Sequence, residues 1–297
     1  MNASVRLIEL VLPATVALKA QIPEAHPSAQ ILGTERLGSG VVVDPGLILT
    51  VNYIVLGARS VEATFLDDKC VPAGIVAQDF ATGIAIVQTN GDSRPALKSR
   101  ATPLRLGEDI FIAAAATDNT RRAHDGAVTS LGSFDAYWEY CLERAILTTA
   151  LNPGLGGAAL LDLHGRLAGI VSLELNEVGR FTLAIPIEYY TQHRDELLRH
   201  GRRVTQSRRA WVGFYCYTLR DHVVIAGVLP DAPGDRAGLR AGDIVVAVDG
   251  QTISGRRQLY TLLWSRQPGD IVHFRVYRDN EVKQIAVPSG DAEQFFA

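Results

Sequence analysis

Little in this sequence ties the chain to covalent cross-links or bound metal. Cysteine is scarce, 3 in 297 residues. Cys70, Cys141 and Cys216 are far apart, odd in number and outside any C-x-x-C or Cys/His ligand spacing, so neither a disulfide framework nor a zinc site is signalled and buried free thiols are expected. No His, Asp or Glu pair has metal-ligand spacing on one element, and no cofactor is implied. Long hydrophobic runs are missing as well. The longest, residues 110–116 (IFIAAAA), falls far short of the roughly 20 residues of a membrane helix. Charge of one sign is not in excess, with 29 Lys+Arg against 32 Asp+Glu and a net charge of −3, so nothing steers the chain to nucleic acid or an anionic membrane surface. Residues 1–20 lack the signature of an export signal: Glu9 interrupts the apolar stretch, Pro13 splits it, and no small-residue cleavage site ends it. That stretch is therefore expected to be folded structure, which favours a cytoplasmic location.

What the chain does have is an ordinary globular composition, 47% hydrophobic and 21% charged, with 27 Gly and 13 Pro, over a length that suits about two domains. From residue 37 to 187, short β-type runs such as SGVVVDPGLILTV, GIAIVQT, DIFIAAAA and RFTLAIPI are separated by Gly, Asp and Pro turns. Strands this short at such regular spacing predict a mainly β barrel or sandwich. Helical periodicity appears at residues 188–200 (EYYTQHRDELLRH), followed by a basic stretch, 201–209 (GRRVTQSRR). Six arginines fall between Arg194 and Arg209, which is either an interaction patch or a solvated helix end and linker. A second unit is expected over 210–290, with a helix at 256–265 stopped by Pro268-Gly269 and two closing strands joined at Asp279-Asn280. Residues 291–297 read as a tail that frays.

Three stretches carry chemistry by their order: residues 38–55 (GSGVVVDPGLILTVNYIV), 78–88 (QDFATGIAIVQ) and 148–162 (TTALNPGLGGAALLD). Together with residues 181–186 (FTLAIP) they resemble the HtrA/DegP-type trypsin-like serine proteases, whose corresponding segments hold the histidine, the aspartate and the nucleophilic serine of a catalytic triad. The resemblance implies a trypsin-like double β-barrel over residues 1–200. It also removes the chemistry, because Tyr53 stands at the histidine position, Gly83 at the aspartate and Gly156 at the serine. A hydroxyl becomes an adequate nucleophile only beside a base whose tautomer a third group fixes. Gly156 has nothing to attack with, and a tyrosine with an ordinary pKa near 10 is a poor base at neutral pH. Leu155, Ala158, Ala159 and Thr148 depart from the family motif too, which reads as decay of a site and not as a single engineered knock-out. The backbone of Gly154 and Gly156 is what remains of an oxyanion hole.

Residues 211–250 resemble an HtrA-type PDZ domain through Trp211-Val-Gly-Phe214, residues 228–239 (VLPDAPGDRAGL), Gly242-Asp-Ile244 and Val248-Asp-Gly250. The resemblance implies an α+β, partly open barrel that binds C-terminal or extended peptides by strand addition. It assigns Val212, Gly213 and Phe214 to a carboxylate-holding loop, Tyr215 to Tyr217 to the pairing edge, and Leu259, Leu262 or Leu263 to the groove side of the helix; plain core packing is the alternative for these leucines. The functional expectation is a catalytically inactive, peptide-binding scaffold of chaperone-like or regulatory kind, with peptides or unfolded protein segments as partners. Relatives imply trimers and an extracytoplasmic setting. Two other readings are a regulatory subunit of an active homologous protease, and an endopeptidase with displaced residues such as Ser172, Ser133 or Cys141. Against the last, none of His26, His124, His164, His193, His200, His222 or His273 occupies a recognisable base position.

Overall fold

The computed structural model describes residues 3–90, 94–116, 120–175 and 179–297, and these divide into two compact units. The first unit comprises Met1–Ser133 and Leu142–Val204; the second, Phe134–Cys141 and Thr205–Ala297.

Two closed antiparallel barrels make up the first unit. Strands β1 (Thr15–Gln21), β2 (Glu35–Asp44), β3 (Leu47–Val51), β4 (Ser60–Thr64), β5 (Cys70–Asp79) and β6 (Ile84–Thr89) run in the order β1-β2-β3-β6-β5-β4, and β1 pairs with β4 to close the ring. The second barrel is built from β7 (Asp109–Ala115), β8 (Arg121–Asp135), β9 (Cys141–Thr148), β10 (Ala159–Asp162), β11 (Leu167–Leu175) and β12 (Phe181–Pro186), ordered β10-β11-β12-β9-β8-β7 and closed by β10 against β7. Closure removes the exposed edges that short strands otherwise present. Strands β3 and β10 are buried at every position, which is why LILTV and ALLD show no alternation of apolar and exposed polar residues. Ile110, Ile112, Leu160 and Val171 fill the second barrel with no exposed surface, each contributing about 1.5–3 kcal/mol by leaving water.

The helix at Glu188–His200 follows β12 as the periodicity predicts, burying Tyr190 and Leu197. It ends at Gly201 in the left-handed region, φ +71°, after Arg199 and His200 in the last turn, which suit the negative end of a helix dipole. Four of the six arginines between Arg194 and Arg209 have partners within their own unit. Arg194 pairs with Asp44 at 2.8 Å and Arg203 with Asp79 at 3.6 Å, while Arg208 pairs with Asp291 at 2.7 Å and Arg209 lies 4.7 Å from the Trp264 ring centre.

The second unit is a sheet ordered β13 (Phe214–Leu219), β14 (His222–Val228), β15 (Ile244–Val248), β17 (Ile271–Arg278) and β18 (Glu281–Pro288), with β16 (Gln251–Thr252) paired to β15. Helix Arg256–Trp264 packs Leu259, Tyr260 and Leu263 into a core shared with Phe214, Val223, Val245 and Phe274. The hairpin at Asp279-Asn280 has both residues at positive φ, 53° and 62°, the two-residue turn whose twist matches its flanking strands. The expectation of a frayed tail over residues 291–297 fails. Asp291 caps a short helix, Ala292–Phe295, and Phe295 and Phe296 pack on Trp211 with ring centres 4.7 and 5.8 Å away. Two adjacent aromatics at the chain end have apolar surface to bury, and Trp211 supplies the partner.

Candidate functional site

Two places concentrate the residues singled out from sequence. The first lies in the double barrel. Tyr53 sits in the short helix Asn52–Val55 that follows β3, and the Asn52 N–H donates to the Gly83 carbonyl at 2.7 Å. Across from it, the Gly156 carbonyl accepts the Ser39 N–H at 2.7 Å. Positions 53, 83 and 156, which the sequence resemblance assigns to the triad, lie close together. At the serine position there is no room for a side chain: a Cβ built on Gly156 falls 1.9 Å from the Tyr53 hydroxyl oxygen. That hydroxyl donates to the Ser172 carbonyl at 2.9 Å. Burial pushes the Tyr53 phenol up to about 12, so it keeps its proton at any neutral pH. Gly83 has φ +77°, in the left-handed region that glycine enters without steric cost. Asp79, four residues earlier, is committed elsewhere: it accepts the Ala81 N–H at 3.0 Å and the Thr82 hydroxyl at 2.6 Å.

The loop carrying Gly156 is tied down on both sides. Gly154 N–H donates to Asn152 Oδ1 at 3.3 Å, Leu155 N–H to the Ala115 carbonyl at 3.0 Å and Gly157 N–H to the Val171 carbonyl at 2.8 Å. The Ser39 hydroxyl adds a link between barrels, accepting the Ala115 N–H at 2.7 Å. Among the displaced-nucleophile candidates, Ser172 is nearly buried, Cys141 half-buried and Ser133 exposed. Sequence reading missed a His–Ser pair: His26 Nδ1 lies 2.7 Å from Ser28 Oγ. It is a helix cap. Ser28 has no exposed surface, and its hydroxyl donates to the Leu56 carbonyl and accepts from Arg36.

The second place lies wholly within the second unit. The N–H groups of Val212, Gly213 and Phe214 converge, and a side-chain carboxyl group is seated on them: Glu139 Oε1 accepts from Gly213 at 2.6 Å, from Val212 at 3.1 Å and from Phe214 at 3.3 Å. Gly213 has φ +84°, and a Cβ there would fall 2.4 Å from the Ala232 methyl, so the loop requires glycine. Burial of the carboxyl end pushes Glu139 up to about 8 against the pull of those three N–H groups. Beside the loop, Tyr215 bridges antiparallel to Trp138, and the Cys216 N–H donates to the Tyr137 carbonyl at 2.6 Å. Tyr217, further along the edge, is exposed.

The leucines offered for the groove follow the core-packing alternative. Leu259 and Leu263 are fully buried in the core, and Leu262 packs against that core. The offset is one residue, about 100° around the helix: positions 259 and 263 share one stripe, and positions 256 and 260 the adjacent one, from which the Tyr260 hydroxyl reaches the segment while its ring stays in the core. There the Tyr260 hydroxyl donates to the Ala136 carbonyl at 3.0 Å, and the Arg256 guanidinium stacks 4.7 Å over the Tyr137 ring. Arg257 pairs with Asp135 at 2.5 Å.

Residues 38–170 match the trypsin-like peptidase domain family and residues 201–288 the PDZ domain family. Among curated proteins, the chain is 28% identical over 287 residues to a probable periplasmic serine endoprotease DegP-like of Halomonas elongata, covering 89% of this chain and 59% of that protein. It is 27% identical over 274 residues to the serine protease Do-like HtrA of Bacillus subtilis, covering 82% and 61%. The chain thus spans about three fifths of the length of these relatives. Its fold is that of solved HtrA structures: the HtrA-type protease AlgW with tripeptide (TM-score 0.59, 24% identity, 98% of this chain and 97% of that one) and the serine endoprotease from Yersinia pestis (0.57, 20%, 98% and 98%). Residues 38–170 are thus a trypsin-like peptidase domain and residues 201–288 a PDZ domain, in an order and fold similar to those of the HtrA/DegP-type proteins.

Proposed function

We propose that this chain is a catalytically silent HtrA-type protein that works by holding peptide or unfolded protein segments, with its PDZ domain as the principal site. The observation that carries the reading is the exchange at the catalytic centre: the space a nucleophile's side chain needs at position 156 is filled by the hydroxyl of Tyr53, the residue standing in for the general base. Loss of a nucleophile alone leaves a site that one substitution repairs. Here the base has become a filler that is sterically matched to the loss, and the third position has adopted glycine-favouring geometry. The loop around position 156 is hydrogen-bonded into the barrel through the N–H groups of Leu155 and Gly157.

Binding has positive support in the second unit. Three convergent backbone N–H groups that hold a carboxyl group beside a strand edge are the parts a PDZ domain uses on a peptide terminus. The test is hydrolysis of β-casein by extensively purified protein. No turnover above buffer is expected over a day. Turnover that survives purification and disappears in Ser172→Ala, Ser133→Ala or Cys141→Ala would overturn the reading.

A further inference from the structure

We infer that the peptide groove of the second unit is occupied in cis by the chain's own segment Phe134–Cys141, with the Glu139 side chain standing in for the terminal carboxylate of a free peptide. The inference rests on the peptide-binding reading of the PDZ domain given above and names what competes for that site.

Four independent features of the segment reproduce how a peptide would lie there. Its carboxyl group is on the loop N–H groups of Val212, Gly213 and Phe214. Its backbone adds antiparallel to β13, with the Trp138–Tyr215 bridge and the Cys216 N–H on the Tyr137 carbonyl two residues before the carboxyl-bearing Glu139. Its Ala136 carbonyl is held by the Tyr260 hydroxyl from the helix opposite the strand. Finally, Asp135 and Tyr137 meet Arg257 and Arg256 of that helix. A strand, a helix and a carboxylate loop thus grip one segment together, the three walls of a strand-addition site.

The segment is also shaped in advance. Ala136 N–H donates to the Tyr140 carbonyl at 2.9 Å, Tyr140 N–H to the Trp138 carbonyl at 2.6 Å, and the Trp138 and Tyr140 rings stack at 6.0 Å. Because the chain continues past Glu139 into β9, no α-carboxylate is available at this point, and a glutamate side chain is the substitute the sequence supplies. A ligand in trans has to displace a preorganised, covalently attached competitor, so its apparent affinity falls by the fraction of chains whose groove is open.

Two readouts on the full chain test this. The first is hydrogen exchange over residues 212–216, whose amides hold the segment; Glu139→Ala is expected to speed it about tenfold or more. The second is fluorescence anisotropy with a fluorescein-labelled octapeptide GSFDAYWE, the sequence of residues 132–139 with a free C-terminus, which is expected to bind Glu139→Ala at least about tenfold more tightly than wild type. If Glu139→Ala fails to fold, Glu139→Gln keeps the side-chain volume, with about a threefold change expected in each. Unchanged exchange overturns the inference whatever the octapeptide does. Faster exchange with no octapeptide binding to either protein upholds occupancy in cis and overturns instead the reading of the groove as a site for separate peptides.

Discussion

The pairing of Tyr53 with Gly156 makes a quantitative prediction that sequence alone does not. A methyl added at position 156 sits 1.9 Å from the Tyr53 oxygen and 3.1 Å from the ring carbon that bears it. The first distance is impossible and the second merely tight, so nearly all of the conflict resides in one hydroxyl. Gly156→Ala in the wild-type background forces the phenol to move, which costs about 1–3 kcal/mol of overpacking, and the hydrogen bond to the Ser172 carbonyl is lost, about 1 kcal/mol more. We expect a total near 2–4 kcal/mol. Tyr53→Phe alone gives up that hydrogen bond and costs about 1–2 kcal/mol. In the Tyr53→Phe background, Gly156→Ala is expected to cost under about 1 kcal/mol, because only the 3.1 Å contact remains. The double-mutant cycle therefore predicts a coupling of about 1–3 kcal/mol in the direction that makes the pair less damaging together than apart. The assay has to see the barrels. All 3 tryptophans, Trp138, Trp211 and Trp264, belong to the second unit, so their fluorescence reports the wrong domain. Calorimetry resolves the barrel transition, where Gly156→Ala should lower Tm by roughly 4–16 °C at about 2–4 °C per kcal/mol for a unit of this size. Strictly additive costs, or a Gly156→Ala cost below about 0.5 kcal/mol, would refute the argument that Tyr53 fills the vacated position.

Two further outcomes follow from the second unit. Asp243 has no exposed surface and holds Arg278 through both carboxylate oxygens while accepting the Arg240 N–H, so Asp243→Ala leaves a guanidinium half-buried without its anion; a loss of about 3–5 kcal/mol is expected from tryptophan-monitored urea unfolding, and a loss under about 1 kcal/mol would contradict it. The grip on residues 134–141 should weaken as pH rises. Glu139 titrates near 8 on the loop and near the ordinary carboxylate value of 4.5 when released, so the held form binds the extra proton between those limits and is favoured at their acid end. Cys216, pushed up to about 11 by burial, and Tyr260, pushed up for the same reason, keep their protons throughout, while Asp135, Arg256 and Arg257 are engaged in the pair and stack already described. Protection of residues 212–216, corrected for intrinsic exchange rate, should therefore fall between pH 5 and pH 9; a rise over that range would contradict the assignment.

Much of the fold is legible in the residues, because both barrels are made of local strand-and-turn signals and carry motifs in a fixed order. The reading of Tyr53, Gly83 and Gly156 as exchanged triad positions rests on the same motif order. Its physical content is not legible there: that Tyr53 occupies the volume missing from Gly156 is a contact between residues about 100 positions apart, and no periodicity encodes it. The groove shows the same limit more sharply. Gly213 reads as a site of close backbone approach, yet Glu139, its partner, lies 74 residues earlier in what reads as an unremarked loop between two strands. Leu259 and Leu263 look like groove residues until the helix is given a rotation, at which point Arg256 and Tyr260 take that face. The chain end misleads because frayed termini and terminal helices differ only in whether something nearby accepts their aromatics, and Trp211 does.

The central claim, a protease fold without a working nucleophile, is met most directly by a fluorophosphonate probe, which reacts only with a serine activated by its surroundings. Incubated with the purified full chain and analysed by intact-protein mass spectrometry, the probe is expected to leave the mass of the native protein unchanged. Stoichiometric, single-site labelling that is lost on heat denaturation and traced to one serine would contradict the account.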